Sequence, residues 1–313
     1  MKLTAISAAT LLVMAACNAP STQNNSTDTT DSTTSPKPLF NDSLRSAIAA
    51  IAAQSGGTVG VGIMNLDTRD TLNFQDEPVY PMHSVFKFPI AMAILHQVDE
   101  GKLELDQQIY IDKKWMVPNT WSPLRDAFPN GNVEQTLAQL LEYMVSQSDN
   151  VACDFLIDLA GGEAAINDYV HGLGVKQIAI VASEAKMATA WDVQFTNFCA
   201  PSAMIQLLDI LNKGTALSKP CNDFLWSIML KTSTGPKRIK GLLPAGTEVA
   251  HKTGTSGMRD GVTAATNDVG IILLPNGQKL AIVVYLMNAK SDEATREATI
   301  AKIAKTAFDK AVQ

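Results

Sequence analysis

Apolar positions recur along this chain at two intervals, and the interval changes twice. Leu39, Leu44, Ile48 and Ile51 sit at helical spacing and predict a helix over 38–54. Thr58-Val59-Gly60-Val61-Gly62-Ile63-Met64-Asn65-Leu66 then alternates as a strand does, and Asp67-Thr68-Arg69-Asp70 predicts a turn into a second strand ending near Phe74. From there to about Lys231 the spacing is mainly helical, in segments 136–146, 151–159, 163–173, 201–211 and 222–230, punctuated by Gly161-Gly162, Gly172 and Gly214. Strand alternation returns over 248–255, 262–274 and 279–287. The last two are joined by Pro275-Asn276-Gly277, where Asn-Gly accepts the positive φ angles of a tight hairpin. A closing helix starts near Asp292 with Ile300, Ile303, Ala307 and Phe308 on one face. Strands at both ends and helices between them predict a discontinuous α/β domain, 39–80 with 232–313, and an all-helical domain, 81–231, inserted into it.

One helical run differs from the others. Phe88-Pro89-Ile90-Ala91-Met92-Ala93-Ile94-Leu95 is apolar on every face, which predicts a buried helix, and Ser84-Val85-Phe86-Lys87 stands at its head. Three helical residues turn the chain by about 300° with a rise of about 4.5 Å, so the hydroxyl and the amine share a face. An ammonium held against the apolar wall of that run loses hydration, which favours its neutral form, and a neutral amine beside the serine can take the hydroxyl proton and make it a nucleophile. Alone the pattern is weak, since Ser-x-x-Lys arises by chance about once in a chain of this length, and a helix start with a snorkelling lysine accounts for it. Downstream, however, come Ser148-Asp149-Asn150 and Lys252-Thr253-Gly254-Thr255. The ordered set of three arises by accident in fewer than about one such chain in a hundred. Singly, Asp149-Asn150 reads as a helix cap and Thr253-Gly254 as a turn.

Matched to the known acyl-transfer enzymes that carry this ordered set, rather than derived from spacing, the pieces suit acyl transfer to an amide that carries a carboxylate. Ser148 can pass a proton to the leaving nitrogen, Asn150 can offer its amide to the acyl side chain, and Lys252 with Thr253 can meet the carboxylate. Backbone N–H groups of Ser84 and Thr255 can form an oxyanion hole, with Gly254 leaving room for the strand to approach Ser84.

Composition narrows the setting. The 313 residues are 46% hydrophobic and 18% charged with a net charge of −6, which fits a globular enzyme. No basic stripe is present to neutralise phosphates, so no nucleic acid is expected as a partner. Residues 1–16 read as an export signal too short to anchor the mature chain, and Ala15-Ala16 before Cys17 resembles the lipobox of bacterial lipoproteins, although Met14 replaces the usual Leu. Cys17 is then the lipidated residue, with cleavage near Ala19 as the alternative. Residues 17–38 hold no core-forming run and read as a tether. The protein is expected to be periplasmic, touching the membrane only through that lipid, and monomeric. Among Cys153, Cys199 and Cys221, either Cys199 and Cys221 form a disulfide or all three are small buried hydrophobes. The four histidines lack ligand spacing, so no metal and no cofactor are expected.

The three motifs are the set shared by class A β-lactamases and penicillin-binding proteins. From about 58 to 307 the chain resembles the class A serine β-lactamases, and within them the PER and VEB extended-spectrum branch. The likeness is carried by Ser84-Val85-Phe86-Lys87, His96-Gln97-Val98-Asp99, Asn119-Thr120-Trp121, the segment Ser148 to Asp154, Gly241 to Gly246 and His251 to Gly257. The resemblance implies an antiparallel five-stranded sheet with flanking helices plus an inserted all-α domain, and hydrolysis of small-molecule β-lactam antibiotics, cephalosporins included, through a serine acyl-enzyme. It places the deacylating glutamate of an Ω-shaped loop at Glu184, within Ala182-Ser183-Glu184-Ala185-Lys186-Met187, and an aromatic wall at Trp121. It also implies a water-holding Asn or His four residues after the glutamate, where this chain has Ala188. Lys240 and Arg259 are candidates for additional positive charge near the substrate carboxylate. A D-Ala-D-Ala peptidase and a penicillin-binding receptor that stays acylated are the alternatives.

Overall fold

The computed structural model describes residues 40–77 and 79–313, so the export segment, Cys17 and the tether lie outside the described residues. The first helix, α1 (Asp42–Ala52), is capped by Asn41, whose side chain accepts the Ser43 and Leu44 amides. A hairpin of β1 (Thr58–Asn65) and β2 (Thr71–Phe74) follows, then β3 (Tyr80–Pro81), and a 3-10 turn (His83–Phe86) runs directly into α2 (Lys87–Asp99). The middle of the chain holds β4 (Gln108–Ile111), α3 (Pro123–Ala127), β5 (Val133–Thr136), α4 (Leu137–Ser146), α5 (Asn150–Leu159), α6 (Glu163–Gly172), β6 (Ile178–Ala179), α7 (Glu184–Met187), β7 (Phe198–Cys199), α8 (Pro201–Lys213) and α9 (Lys219–Leu230). It closes with β8 (Val249–Thr255), β9 (Met258–Arg259), β10 (Val262–Leu273), β11 (Lys279–Ala289) and α10 (Glu293–Ala311).

The main sheet is antiparallel in the order β2-β1-β11-β10-β8, with β9 pairing the far end of β10. Side-chain alternation gives it two faces. Val59, Val61 and Ile63 of β1 join Ile282, Val284 and Leu286 of β11 in one apolar layer with Leu44, Ile48, Ile300, Ile303 and Phe308 of the terminal helices. The opposite face meets the middle of the chain through Ala281, Val283 and Tyr285. There β1 carries Gly60 and Gly62, because a Cβ at Gly60 would overlap the Tyr80 ring at 2.4 Å.

The middle region is not wholly helical. β4 pairs β5, and β7 lies between β3 and β6, in ribbons of four residues or two. Pairs that short carry no periodicity to read. Helix α9 begins at Lys219, three residues ahead of the expected 222, because Pro220 suits the first helical turn. The three described cysteines are free and buried, so the Cys199–Cys221 bridge is absent and the apolar alternative holds.

Two contacts fix where the sheet meets the 3-10 turn. Asn267 of β10, almost fully buried, donates its amide to the carbonyls of Pro81 and Met82 and accepts the Leu286 amide. The edge strand β8 presses closer still: a Cβ on Gly254 would lie 2.4 Å from the Met82 carbonyl oxygen and 3.2 Å from the Val85 amide. Both neighbours are backbone and cannot swing away. Gly254→Ala is therefore expected to cost about 1–3 kcal/mol, the usual penalty for overpacking. Thermal unfolding checks this; an unchanged Tm would mean that strand and turn are not pressed together.

Candidate active site

The 3-10 turn points Ser84 into a cleft, and the first residue of α2 reaches it from below. Lys87 is fully buried, yet its amine does not face the apolar wall that the surrounding sequence suggests. It donates to Ser84 Oγ at 3.1 Å, to the Ser148 carbonyl at 2.9 Å and to Asn150 Oδ1 at 2.5 Å, and it pairs with Glu184 Oε1 at 2.8 Å. Ser84 Oγ in turn donates to that same carboxylate oxygen at 3.4 Å. A hydroxyl, an amine and a carboxylate thus form one hydrogen-bonded triangle.

Both readings of Ser148-Asp149-Asn150 are true at once. Asp149 caps α5 by accepting the Ala152 amide at 2.8 Å, and it also accepts from Ser122 Oγ and the Leu124 amide. Burial raises the Asp149 pKa, opposed by these hydrogen bonds. Its neighbours enter the cleft. Ser148 takes a left-handed φ of 61°, and Asn150 uses its amide nitrogen on Thr120 Oγ1 at 2.7 Å and its oxygen on Lys87. Trp121 is 60% exposed, but its indole nitrogen is tied to the Gln147 carbonyl at 2.9 Å, which pins the ring at the mouth.

From the other side β8 contributes Lys252, Thr253 and Thr255. The Lys252 amine, fully buried, donates to Ser148 Oγ at 2.8 Å and to the Thr253 carbonyl at 2.9 Å. Burial, and then the charge of Lys87, push its pKa well below the ordinary lysine range, so an arriving carboxylate would favour its charged form. Thr253 Oγ1 lies 2.5 Å from Thr234 Oγ1. The cation that bonds to Thr255 is neither Lys240 nor Arg259. It belongs to Arg238, 4% exposed, which donates to Thr255 Oγ1 at 2.8 Å and to the carbonyls of Gly254 and Asn267, and pairs with Glu297 at 3.2 Å. Neither Lys240 nor Arg259 lines the cleft: Lys240 is half buried, and Arg259 lies over the Trp191 ring.

The cleft, about 280 Å³, is lined by Ser84, Trp121, Ser148, Asn150, Glu184, Thr253 and Thr255, all named from the sequence, and by Thr234, which was not. Lys87 and Lys252 lie buried behind it.

Glu184 opens the single turn of α7, and side chains from elsewhere hold that turn. Asp154 of α5 accepts the Glu184 and Ala185 amides at 2.7 and 2.9 Å. Asn197 closes the base of the loop, accepting from Val181 and Ala182 and donating to the Ala182 carbonyl. Lys186, an alternative partner for Glu184, pairs with Glu163 at 2.7 Å instead.

A profile of the beta-lactamase enzyme family matches residues 43–311. The chain belongs to that family. The extended-spectrum beta-lactamase PER-1 of Pseudomonas aeruginosa is 44% identical over 265 residues, 85% of this chain and 86% of the relative. Beta-lactamase VEB-1 of the same organism is 42% identical, over 86% of this chain and 90% of its own length. A beta-lactamase structure from Chitinophaga pinensis superposes with a TM-score of 0.85 at 51% identity, covering 86% of this chain and 99% of that one. This β-lactamase is thus of class A and PER- and VEB-like, with the sheet and flanking helices that the motifs implied.

Within the β-lactamase, the residues that sequence missed are those that act across long separations. Thr234, Arg238 and Asp154 have no motif of their own, and only Asp154 falls inside a stretch that carried the resemblance. Asp154 also makes a measurable prediction. Burial, with the Glu184 charge adding to it, pushes its carboxyl up to about 6, while the two backbone amides pull it down. The folded state therefore binds this proton more tightly than the unfolded chain does. Its stabilising contribution is complete below the ordinary carboxylate pKa and is lost as pH rises through about 6. Asp154→Asn should remove up to about 2–3 kcal/mol of pH dependence between about pH 4 and 6. Denaturant unfolding of both proteins across that range checks it; parallel curves would contradict the shift.

Proposed function

We propose that this β-lactamase opens β-lactam rings, cephalosporins among them, through an acyl-enzyme on Ser84 that water then hydrolyses with Glu184 as base. The observation that carries this is the joint reach of Lys87 Nζ to Ser84 Oγ, 3.1 Å, and to Glu184 Oε1, 2.8 Å. Ser84 Oγ attacks the ring carbonyl while its proton passes toward the Lys87–Glu184 pair, and the backbone N–H groups of Ser84 and Thr255 receive the developing oxyanion. Ser148 gives its proton to the departing nitrogen and regains one from the Lys87–Glu184 pair, which thereby returns the proton taken from Ser84. The C–N bond breaks, the ester remains and Glu184 is again a free carboxylate. Thr253, Thr234 and Lys252 receive the substrate carboxylate, with Arg238 holding Thr255 in place beside them; Asn150 has an amide N–H to give the acyl side chain, and Trp121 flanks it. Glu184 then takes a proton from the attacking water. The names of the extended-spectrum relatives support cephalosporins as substrates.

In this reading the cleft lies on the seam between an α/β domain, 39–80 with 232–313, and a helical domain, 81–231. A carboxylate in contact with the nucleophile speaks for turnover, against a receptor that stays acylated or a peptidase without such a base. The enzyme is read as a periplasmic monomer held to the membrane by lipid on Cys17. Among the described residues no helix is long and apolar enough to cross a bilayer.

Two outcomes are expected. Ser84→Ala abolishes covalent labelling by penicillin, whereas Glu184→Gln still acylates but slows hydrolysis by about a hundredfold or more, the scale of a lost general base. Intact-protein mass spectrometry after mixing with a cephalosporin shows the accumulated adduct; wild-type turnover by Glu184→Gln would remove Glu184 from the mechanism. Cys17→Ala should move the protein from the membrane fraction to the soluble periplasmic fraction, and an unchanged distribution would sink the lipid anchor.

A further inference from the structure

Given the acyl-enzyme on Ser84, on which any role for a second water-binding group rests, the attacking water needs a partner besides Glu184. Beyond Glu184 lies another cavity, of about 470 Å³, lined in part by His83, Glu184, Ala188 and Gln194. Ala188 presents only a methyl group there. The polar groups come from the other pair: His83 Nε2 lies 2.9 Å from Gln194 Oε1, and the Gln194 amide nitrogen donates to the Trp191 carbonyl at 2.7 Å. With its nitrogen committed to a carbonyl, Gln194 turns its oxygen to His83, so the imidazole donates through Nε2. Its Nδ1 is then an acceptor, and among the described residues nothing bonds to it.

Two further observations fit. Burial lowers the His83 pKa against the opposing pull of Glu184, with Lys87 adding to the fall, which keeps the ring neutral and Nδ1 unprotonated. The His83 backbone is held at a φ of 46°, a left-handed conformation that persists in a non-glycine residue only where its surroundings impose it. This strained residue directly precedes the nucleophile.

We infer that His83, oriented by Gln194, takes over the water-holding place that Ala188 leaves empty: Nδ1 accepts one hydrogen of the deacylating water while Glu184 takes the other as a proton. With both hydrogens engaged by acceptors, the water turns its lone pair to the ester. Its oxygen bonds to the acyl carbon, collapse of the tetrahedral species breaks the bond to Ser84 Oγ, that oxygen takes the proton back from Glu184, and the ring-opened acid departs. His83 is a positioning residue, since Glu184 moves the proton.

The test separates acylation from deacylation with a cephalosporin, by stopped-flow absorbance and intact-protein mass spectrometry. It compares wild type, His83→Ala, Gln194→Leu, the double variant His83→Ala with Ala188→Asn, and Glu184→Gln. Gln194→Leu leaves the strained backbone at residue 83 untouched, which guards against misfolding of the first variant. Both single variants should acylate within about twofold of wild type and deacylate about tenfold to a hundredfold more slowly, as for a misplaced reactant. Adding Ala188→Asn should restore most of that loss, which a merely structural role for His83 would not allow. Unchanged deacylation in both single variants, with Glu184→Gln still trapped, would overturn the role of His83 and leave the acyl-enzyme mechanism standing. Acylation and deacylation falling together without rescue by Ala188→Asn would overturn it as well. Wild-type turnover by Glu184→Gln would instead bring down the mechanism beneath it.

Discussion

A primary amine removed from water must be met by oxygen atoms, and the position of Lys87 is set by that demand. Its acceptors are Ser84 Oγ, the Ser148 carbonyl, Asn150 Oδ1 and Glu184 Oε1, which come from the 3-10 turn, the loop before α5, the start of α5 and the turn of α7. Elements far apart in the chain are thereby drawn within one hydrogen-bond length of a single atom. Losing one partner of a buried pair costs about 3–5 kcal/mol, because the group left behind is neither solvated nor paired. The arrangement proposed to activate the serine is thus also the arrangement that keeps the amine satisfied. Stability and reactivity are tied to the same atom.

Around that node, buried polar side chains take over where regular pairing stops. Asp149 caps α5 and gathers Ser122 and Leu124, Asn267 joins β10 to the segment just before Ser84, and Arg238 spans β8 and β10 to reach Thr255. Each has its hydrogen bonds met, which is the condition for a polar group to be an asset in an interior. The sheet supplies the rigid edge, and these side chains set the distance from that edge to the turn that holds the nucleophile.

How much of this is legible in the sequence depends on the range of each interaction. The apolar run after Lys87, the alternation in β1, β10 and β11 and the face of α10 are local periodicities, and the structure repeats them. Ser84 with Lys87, and the Ser148 and Lys252 motifs, are short enough to be recognised without knowing what lies opposite. Glu184 is found by resemblance alone, since nothing in Ala182-Ser183-Glu184-Ala185 marks a base. Asp154 looks like an ordinary polar position on a helix, and its partners stand 30 and 31 residues away. Arg238 is harder to single out than Lys240 or Arg259 because charge alone does not tell which cation turns inward. The two-residue strands and the unpaired state of Cys199 and Cys221 likewise depend on what the fold brings alongside them.

The loop that carries Glu184 is fastened differently from everything else in the site. Ser84 and Lys87 sit on the 3-10 turn and the helix it leads into, both packed in the core, and Lys252 on a strand of the main sheet. The turn of α7 is instead held mainly by side chains, Asp154, Glu163, Asn197 and the Lys87–Glu184 pair, with Ala182 and Met187 as its core contacts. Segments secured by a few side-chain contacts open at lower free energy than the core beside them. With Glu184 as the proposed base, such an opening on warming would reach the base before the nucleophile, leaving a molecule that still captures the drug but releases it slowly. In such a regime each copy would act as a scavenger that removes one antibiotic molecule and falls silent, and protection would depend on how many copies a cell has made rather than on how fast each one works.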